Sequence, residues 1–371
     1  MLAKKHGLAA VASALLAFTP SYSAFVERRV QSMGTDLSVV VEAPDRGRAL
    51  RASESAVEAL AEAERRLSTW DPESELSRVN DARAGEEVHL SPRLAKDLAA
   101  ALACSEETSG AFAPGIGVLV EAWGLRRGGR LPEAREIEEA RAGASAENVI
   151  LDGIRLVRLS DRYVFEEGGF GKGAGLDEAM DALAGTRASG AVLNLGGQVA
   201  VWGEALADVA IADPRRRDRV VLRLKVRHGS VATTGNSERG IVVDGKHLGH
   251  VLDPRTGRPS MDFGTLTVWA GNAATADCLA TGLYALGPET ALCRAAGRED
   301  VAVVVIREAQ QGLEALASPV LEGRLSTVAD DVVLQFPTTL PNCETGLRRA
   351  EPAVLFGGRT LETGVNDDPS D

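Results

Sequence analysis

Cysteine is scarce in this chain. The 371 residues hold four, Cys104, Cys278, Cys293 and Cys343, at wide and irregular spacing. No CxxC pair occurs, which argues against the common tetrahedral zinc modules. Cys278 and Cys293 fall in segments of helical pattern and read as buried small hydrophobes, with a disulfide left open. Positive charge is in deficit as well: 41 Lys and Arg face 53 Asp and Glu, for a net charge of -12. A nucleic-acid partner is therefore not expected, because grip on phosphate backbones takes clustered Lys and Arg. A small anionic ligand stays open, since a cation can bridge acidic side chains to phosphate. The spacings of the dinucleotide fingerprint and of the P-loop are both missing, so neither nucleotide fold is supported. No internal repeat is visible.

What is present is an ordinary globular composition, 44% apolar and 25% charged, in a chain long enough for one large domain or two smaller ones. Lys4, Lys5 and His6 precede an apolar run from Leu8 to Phe18, then Pro20 and small residues to Ala24. The run is short for a membrane span and reads as a signal peptide over 1–24, so the protein is expected to be exported and soluble, in the periplasm. A globular domain is expected over 25–337. A tail over 338–371, rich in Pro, Gly, Asn and Asp, is expected to be disordered.

Within the domain, Val30–Glu42 reads as a strand pair around Met33-Gly34-Thr35. A helix is expected from about Asp45 to Leu67, and another begins at Ser91-Pro92, with Ser91 as cap, ending near Gly110. Residues 111–130 read as a Gly-rich loop and Val149–Phe165 as a hairpin. Gly168–Gly173 reads as a turn before a helix. Strands follow at Ala191–Trp202, Val220–Val226, Ile241–Leu252 with a turn at Asp244-Gly245, Thr265–Trp269 and Val301–Ile306; Ala273–Leu286 is helical. Antiparallel hairpins mixed with helices make an α+β fold.

Three features carry chemistry. Gly168-Gly169-Phe170-Gly171-Lys172-Gly173 lets backbone approach a ligand or metal closely, although a tight strand-to-helix connection needs the same residues. Asp277 and Thr281, four apart on a helix, share one face and suit a hard cation; a solvated Asp and an ordinary Thr are the plainer reading. His250 precedes the turn Asp253-Pro254-Arg255-Thr256-Gly257 and reads as a base, a phosphate contact or a structural histidine.

Taken in order, seven segments resemble the ApbE family, the FAD:protein FMN transferases. They are Met33-Gly34-Thr35; Ser68-Thr69-Trp70-Asp71-Pro72 running to Glu75-Leu76-Ser77-Arg78-Val79-Asn80; Gly168 to Asp177; Asn194-Leu195-Gly196-Gly197; Glu238-Arg239; His250 to Gly257; and Ala276-Asp277 with Thr281. The resemblance implies a T-fold-like architecture of mixed, largely antiparallel sheets with flanking helices. It implies Mg2+ held by Asp277, Thr281 and the Gly171 carbonyl. FAD is then expected in a cleft bordered by Met33, Trp70, the Gly117–Trp123 loop, Gly169, Lys172, Asp177, Gly196, Gly197, Gly235, Glu238, Arg239 and His250. His250 is the expected base, with Asp277 and Lys172 as the other catalytic candidates. Lys172 either stabilises phosphate charge or caps the turn. The implied partner is an acceptor protein, a membrane-associated electron-transfer subunit that offers a Thr or Ser hydroxyl.

The chain departs from the family pattern at three places. Phe112-Ala113-Pro114-Gly115 stands for the usual Phe-Asp-Pro-Thr, Glu166 for Asp, and Gly171 for Ala. The alternatives are a Mg2+-dependent FAD pyrophosphatase, which needs the same site with water as nucleophile, and an exported flavin-binding protein without catalysis. Ser109-Gly110-Ala111 and Ser189-Gly190-Ala191 are followed by Phe112 and Val192, so the flavin-acceptor motif is missing. That favours the donor enzyme over a flavinylated substrate.

Overall fold

Period-two burial builds the first hairpin. β1 (Ala24–Ser32) pairs antiparallel with β2 (Thr35–Ala43), and Leu37, Val39, Val41 and Ala43 of β2 turn inward while their neighbours stay partly exposed. Met33 and Gly34 make the two-residue connection, both at positive φ (49° and 70°), the geometry that matches the twist of the strands it joins. A computed structural model describes residues 23–236, 240–243, 246–339 and 343. Nearly all of the expected signal segment, Glu238, Arg239, the Asp244-Gly245 turn and most of the C-terminal tail lie outside the described residues.

The central sheet has nine strands. After β1 and β2 come β3 (Gly190–Leu195), β4 (Gln198–Gly203), β5 (Gly229–Gly235), β6 (Thr265–Ala270), β7 (Val301–Glu308), β8 (Leu313–Ala317) and β9 (Val332–Gln335). Their order across the sheet is their order in the chain. Every neighbouring pair is antiparallel except β8 with β9. The fold is therefore α+β and largely antiparallel, as the mixed hairpin and helix pattern implied.

Both faces of this sheet are covered. In β7, Val301, Val303 and Val305 enter a core shared with helices, whereas Ala302, Val304 and Ile306 enter a second core on the opposite face. That second core is closed by a three-stranded sheet of Ala207–Ala212, Val220–Val226 and Leu325–Thr327. The near-continuous apolar run in β7 follows from burial on two sides.

Four helices pack on the other face: α1 (Arg46–Leu67), α2 (Pro92–Glu107), α3 (Gly171–Ala184) and α4 (Ala273–Leu286). Three of them, α1, α2 and α4, start on a side-chain cap. Asp45 accepts from Arg48 N at 2.8 Å, Ser91 from Leu94 N at 3.2 Å, and Asn272 from Thr275 N at 2.8 Å. Arg66 of α1 is buried and ion-pairs with Asp97 of α2 and Glu178 of α3, which ties three helices at one point. Among the described residues no helix is long and apolar enough to cross a membrane.

The structure refines several expectations. Helix α3 begins inside the glycine run, at Gly171, so three of its first five residues are glycine. The expected loop over 111–130 contains a short helix, Gly117–Ala122. The hairpin after Val149 has arms Val149–Asp152 and Arg155–Arg158 and ends short of Phe165. The cysteines are not free hydrophobes: Cys104 bonds Cys278 and Cys293 bonds Cys343. Closing a separation of 174 residues restrains the unfolded chain by on the order of 5 kcal/mol, an upper figure.

Helices α3 and α4 approach each other backbone to backbone. A Cβ placed on Gly173 would stand 2.3 Å from the Ala273 carbonyl oxygen and 2.6 Å from Ala274 Cα. Backbone blocks it on the neighbouring helix, so no side chain can swing aside. Gly173→Ala is expected to cost about 1–3 kcal/mol in urea unfolding; an unchanged midpoint would show that the two helices are free to separate.

Candidate active site

The crossing of α3 and α4 brings two helix starts together. Asp277, one turn into α4, is buried, and its carboxylate faces the first turn of α3. It accepts from Gly173 N at 3.0 Å and from Lys172 Nζ at 3.3 Å. The partial positive charge of a helix N-terminus favours an anion at that place. Thr281 lies one turn further along α4, and its hydroxyl donates to the Asp277 carbonyl at 3.3 Å. A Cβ on Gly169 would be 3.4 Å from Thr281 Oγ1, so the glycine turn passes beside that hydroxyl. Asp277, Thr281 and the glycine turn with Lys172 thus lie beside one another in the fold.

A second carboxylate holds this arrangement from behind. Asp177 accepts from Ala273 N at 2.7 Å and Ala274 N at 2.9 Å, binding α3 to the first two amides of α4. Burial raises its carboxyl above the ordinary range, and the two amides pull it back down. Gln198, at the start of β4, donates to the Ala273 carbonyl at 2.8 Å. Asp177 thus serves the helix that carries Asp277, a task its place in the motif does not reveal.

The sheet contributes two turns nearby. Met33 packs its thioether against α3: a Cβ on Gly175 would meet Met33 Cε at 3.0 Å. The Gly196-Gly197 turn is closed by Asn194 Oδ1, which accepts from Gly197 N at 3.0 Å, and it lies against Thr35. Gly235 ends β5 and leads into Asn236. Asn236 accepts from Val251 N at 3.2 Å and donates to the Ser260 carbonyl at 3.1 Å. It thereby fixes the backbone on the C-terminal side of His250. Tyr284 of α4 reaches Asn236 N through its hydroxyl at 3.4 Å, so the His250 segment is coupled to the helix of Asp277.

A cavity of about 370 Å³ with mixed polar and apolar walls lies on the N-terminal side of the glycine turn, lined by Trp70, Asn80, Gly117, Arg126 and Glu166 among others. Trp70 is 67% exposed. The Arg126 guanidinium sits 4.2 Å from its ring centroid and donates to Glu166 at 2.5 Å. Thr69 bonds both Arg126 and Glu167. Burial raises the Glu166 carboxyl, and Arg126 lowers it again. Asn80 pairs with both backbone groups of Phe165, at 2.9 and 2.8 Å, and so fixes the segment that delivers Glu166. Arg126 was not singled out from the sequence; flanked by Leu125 and Arg127, it carries no signature. Only the fold places it on Trp70.

Two sequence candidates take framework positions. Trp123 is buried and donates through its indole to the Gly257 carbonyl at 2.8 Å. Asp253 is bonded to Arg255 at both its Nε (2.9 Å) and Nη2 (2.8 Å), which makes the Asp-Pro-Arg-Thr-Gly turn self-supporting. The unusual Phe112–Gly115 turn is also explained by packing. Ala113 is buried, and a Cβ on Gly115 would lie 2.2 Å from the ring of Tyr163. A tyrosine ring fills the volume a threonine would need. Phe112 remains beside the site, in contact distance of both Gly169 and Gly282.

Among the described residues no group of three or more His, Cys, Asp or Glu converges. The donors at the helix crossing are oxygens from one carboxylate and one hydroxyl. Such a set suits Mg2+, which takes few protein carboxylates and completes its shell with water and substrate phosphates.

The crossing of two helix starts, with Asp277, Thr281 and Lys172, and the cavity beside Trp70 together form a candidate site for a ligand. The chain belongs to the ApbE family, whose model matches residues 33–305. It is 34% identical over 296 residues to the FAD:protein FMN transferase of Rhodobacter capsulatus, covering 75% of this chain and 55% of that protein. It is 27% identical over 262 residues to the Haemophilus influenzae protein of the same name, covering 67% and 75%. The crystal structure of the ApbE protein from Thermotoga maritima superposes with a TM-score of 0.70 at 28% identity, over 76% of this chain and 94% of that one.

Because Asp177 holds two otherwise unpaired amides in a buried place, Asp177→Ala should cost about 2–3 kcal/mol of stability in urea unfolding. A loss below about 0.5 kcal/mol would mean that α4 is held by other contacts.

Proposed function

We propose that this chain transfers the FMN half of FAD to a Thr or Ser hydroxyl of an acceptor protein and releases AMP. The single observation that carries the reading is the oxygen-donor pair Asp277 and Thr281 beside the glycine turn, at the meeting of two helix N-termini.

In this reading Asp277, Thr281 and the Gly171 carbonyl hold Mg2+. The ion, when bound, neutralises charge on the diphosphate and on the departing AMP. Lys172, now on Asp277, turns its ammonium to a phosphate oxygen. The acceptor hydroxyl attacks the phosphorus on the FMN side. An O–P bond to the acceptor forms as the P–O bond to AMP breaks, and His250 takes the hydroxyl proton. Trp70 and Met33 offer apolar surface to the rings of FAD, and the Gly196-Gly197 and Gly235 turns border the same cleft. Glu238 and Arg239 belong to this cleft by motif position.

Two disulfides that use all four cysteines support an oxidising compartment, in line with an exported, periplasmic protein. The acceptor is then an extracytoplasmic electron-transfer subunit associated with the membrane.

Asp277→Asn keeps a hydrogen-bond acceptor for Gly173 N and removes the charge. It should lower Mg2+-dependent flavin transfer by at least about a hundredfold, read as in-gel flavin fluorescence of a coexpressed acceptor. Wild-type transfer rates from this variant would overturn the assignment. AMP release from FAD and Mg2+ without acceptor, at the rate seen with acceptor, would make the enzyme a pyrophosphatase. Trp70→Ala should raise KM for FAD about tenfold with little change in kcat, the worth of one aromatic contact; an unchanged KM would remove Trp70 from the binding site.

A further inference from the structure

The Cys104–Cys278 disulfide stands one residue from the Asp277 carboxylate, and it spans a place where packing is incomplete. A cavity of about 150 Å³ separates α2 from the α3–α4 pair, lined by Asp97, Cys104, Phe170, Ala174, Thr275 and Cys278. On α4, Asp277 faces α3 while Cys278 bonds α2. Toward the gap this helix presents only Ala274, Thr275 and Cys278, whereas Leu279, Leu283 and Tyr284 pack into the core elsewhere on it. Beyond Cys104, α2 ends at Glu107 and the chain turns through Thr108 to Phe112. Phe112 N is bonded to Thr108 Oγ1 at 3.0 Å, and a Cβ on Gly282 would lie 2.6 Å from Thr108 and 2.9 Å from Phe112. The same Phe112 ring lies against Gly169. One covalent bond thus fixes both sides of the donor set: the helix that carries Asp277 and Thr281, and the ring that backs the glycine turn.

We propose that Cys104 and Cys278 are positioning residues for the cation site. Resting on the metal reading of Asp277 and Thr281, the inference is that their bond holds α4 in the rotation that aims both oxygens at one point. A site with a single carboxylate has little affinity to spare when its geometry loosens. Without the bond, the side of α4 that faces the 150 Å³ gap loses its tie to α2, and cation binding weakens before the fold is lost. The second disulfide, Cys293–Cys343, lies outside α4 and has no such effect.

The test compares Cys104→Ser/Cys278→Ser with Cys293→Ser/Cys343→Ser. Mn2+ binding is followed by electron paramagnetic resonance, and the Mg2+ dependence of transfer is resolved into an activation constant and a maximal rate. The first pair should bind Mn2+ about tenfold more weakly and need about tenfold more Mg2+, with maximal rate changed less than twofold. The second pair should match the wild type in all three. Wild-type Mn2+ affinity in the first pair, or an equal loss in both pairs, overturns the proposal. If the first pair does not fold, reducing folded Cys293→Ser/Cys343→Ser protein with a phosphine, which then acts on Cys104–Cys278 alone, gives the same comparison. Mn2+ binding that Asp277→Asn leaves unchanged would instead overturn the metal reading itself, with no cysteine variant involved.

Discussion

The contact between Gly173 and the first turn of α4 is the constraint on which the rest of the site depends. Two helices can meet start to start only if one presents bare backbone, because any side chain at the crossing would enter the other's main chain. Once they meet, the amides at the start of each helix call for negative charge. The protein answers with two aspartates of opposite use. Asp177 is spent on the amides of α4 and locks the crossing. Asp277 is bonded to one amide and one ammonium and keeps the remaining capacity of a carboxylate for a ligand. One carboxylate makes the geometry and the other uses it.

Much of the frame was legible in the sequence because it rests on local rules. Met33-Gly34 announces a hairpin through the backbone it requires, and Ser91-Pro92 and Asp45 announce helix starts through their caps. The spacing of Asp277 and Thr281 puts both on one side of a helix whatever surrounds it. What stayed hidden depends on tertiary placement. Asp177 sits in the glycine motif and yet acts on another helix 96 residues away. Arg126 acquires its role only when its loop folds over Trp70. Trp123 looks like a ring available to a ligand, and its indole is used up on Gly257. Cysteine pairing across 174 residues leaves no local trace at all.

The departures from the family pattern read differently once the packing is known. A missing carboxylate at Ala113 and a missing hydroxyl at Gly115 look like losses of ligand groups when only letters are compared. In the folded chain, position 113 is buried and position 115 is occupied by the face of Tyr163. The turn has exchanged polar side chains for an aromatic filling, while Phe112 keeps its place beside Gly169. The larger Glu166, where the family has Asp, is matched by an arginine that pairs with it and covers Trp70 at the same time.

The central sheet carries a further consequence for how the molecule comes into being. Each of its nine strands lies beside the strand that preceded it in the sheet. A polypeptide emerging amino end first therefore always finds its template already laid down, and the growing edge never waits for a distant partner. The bridge from residue 104 to residue 278 must wait until three quarters of the chain is out, so the covalent seal on the helix pair is a late event of assembly.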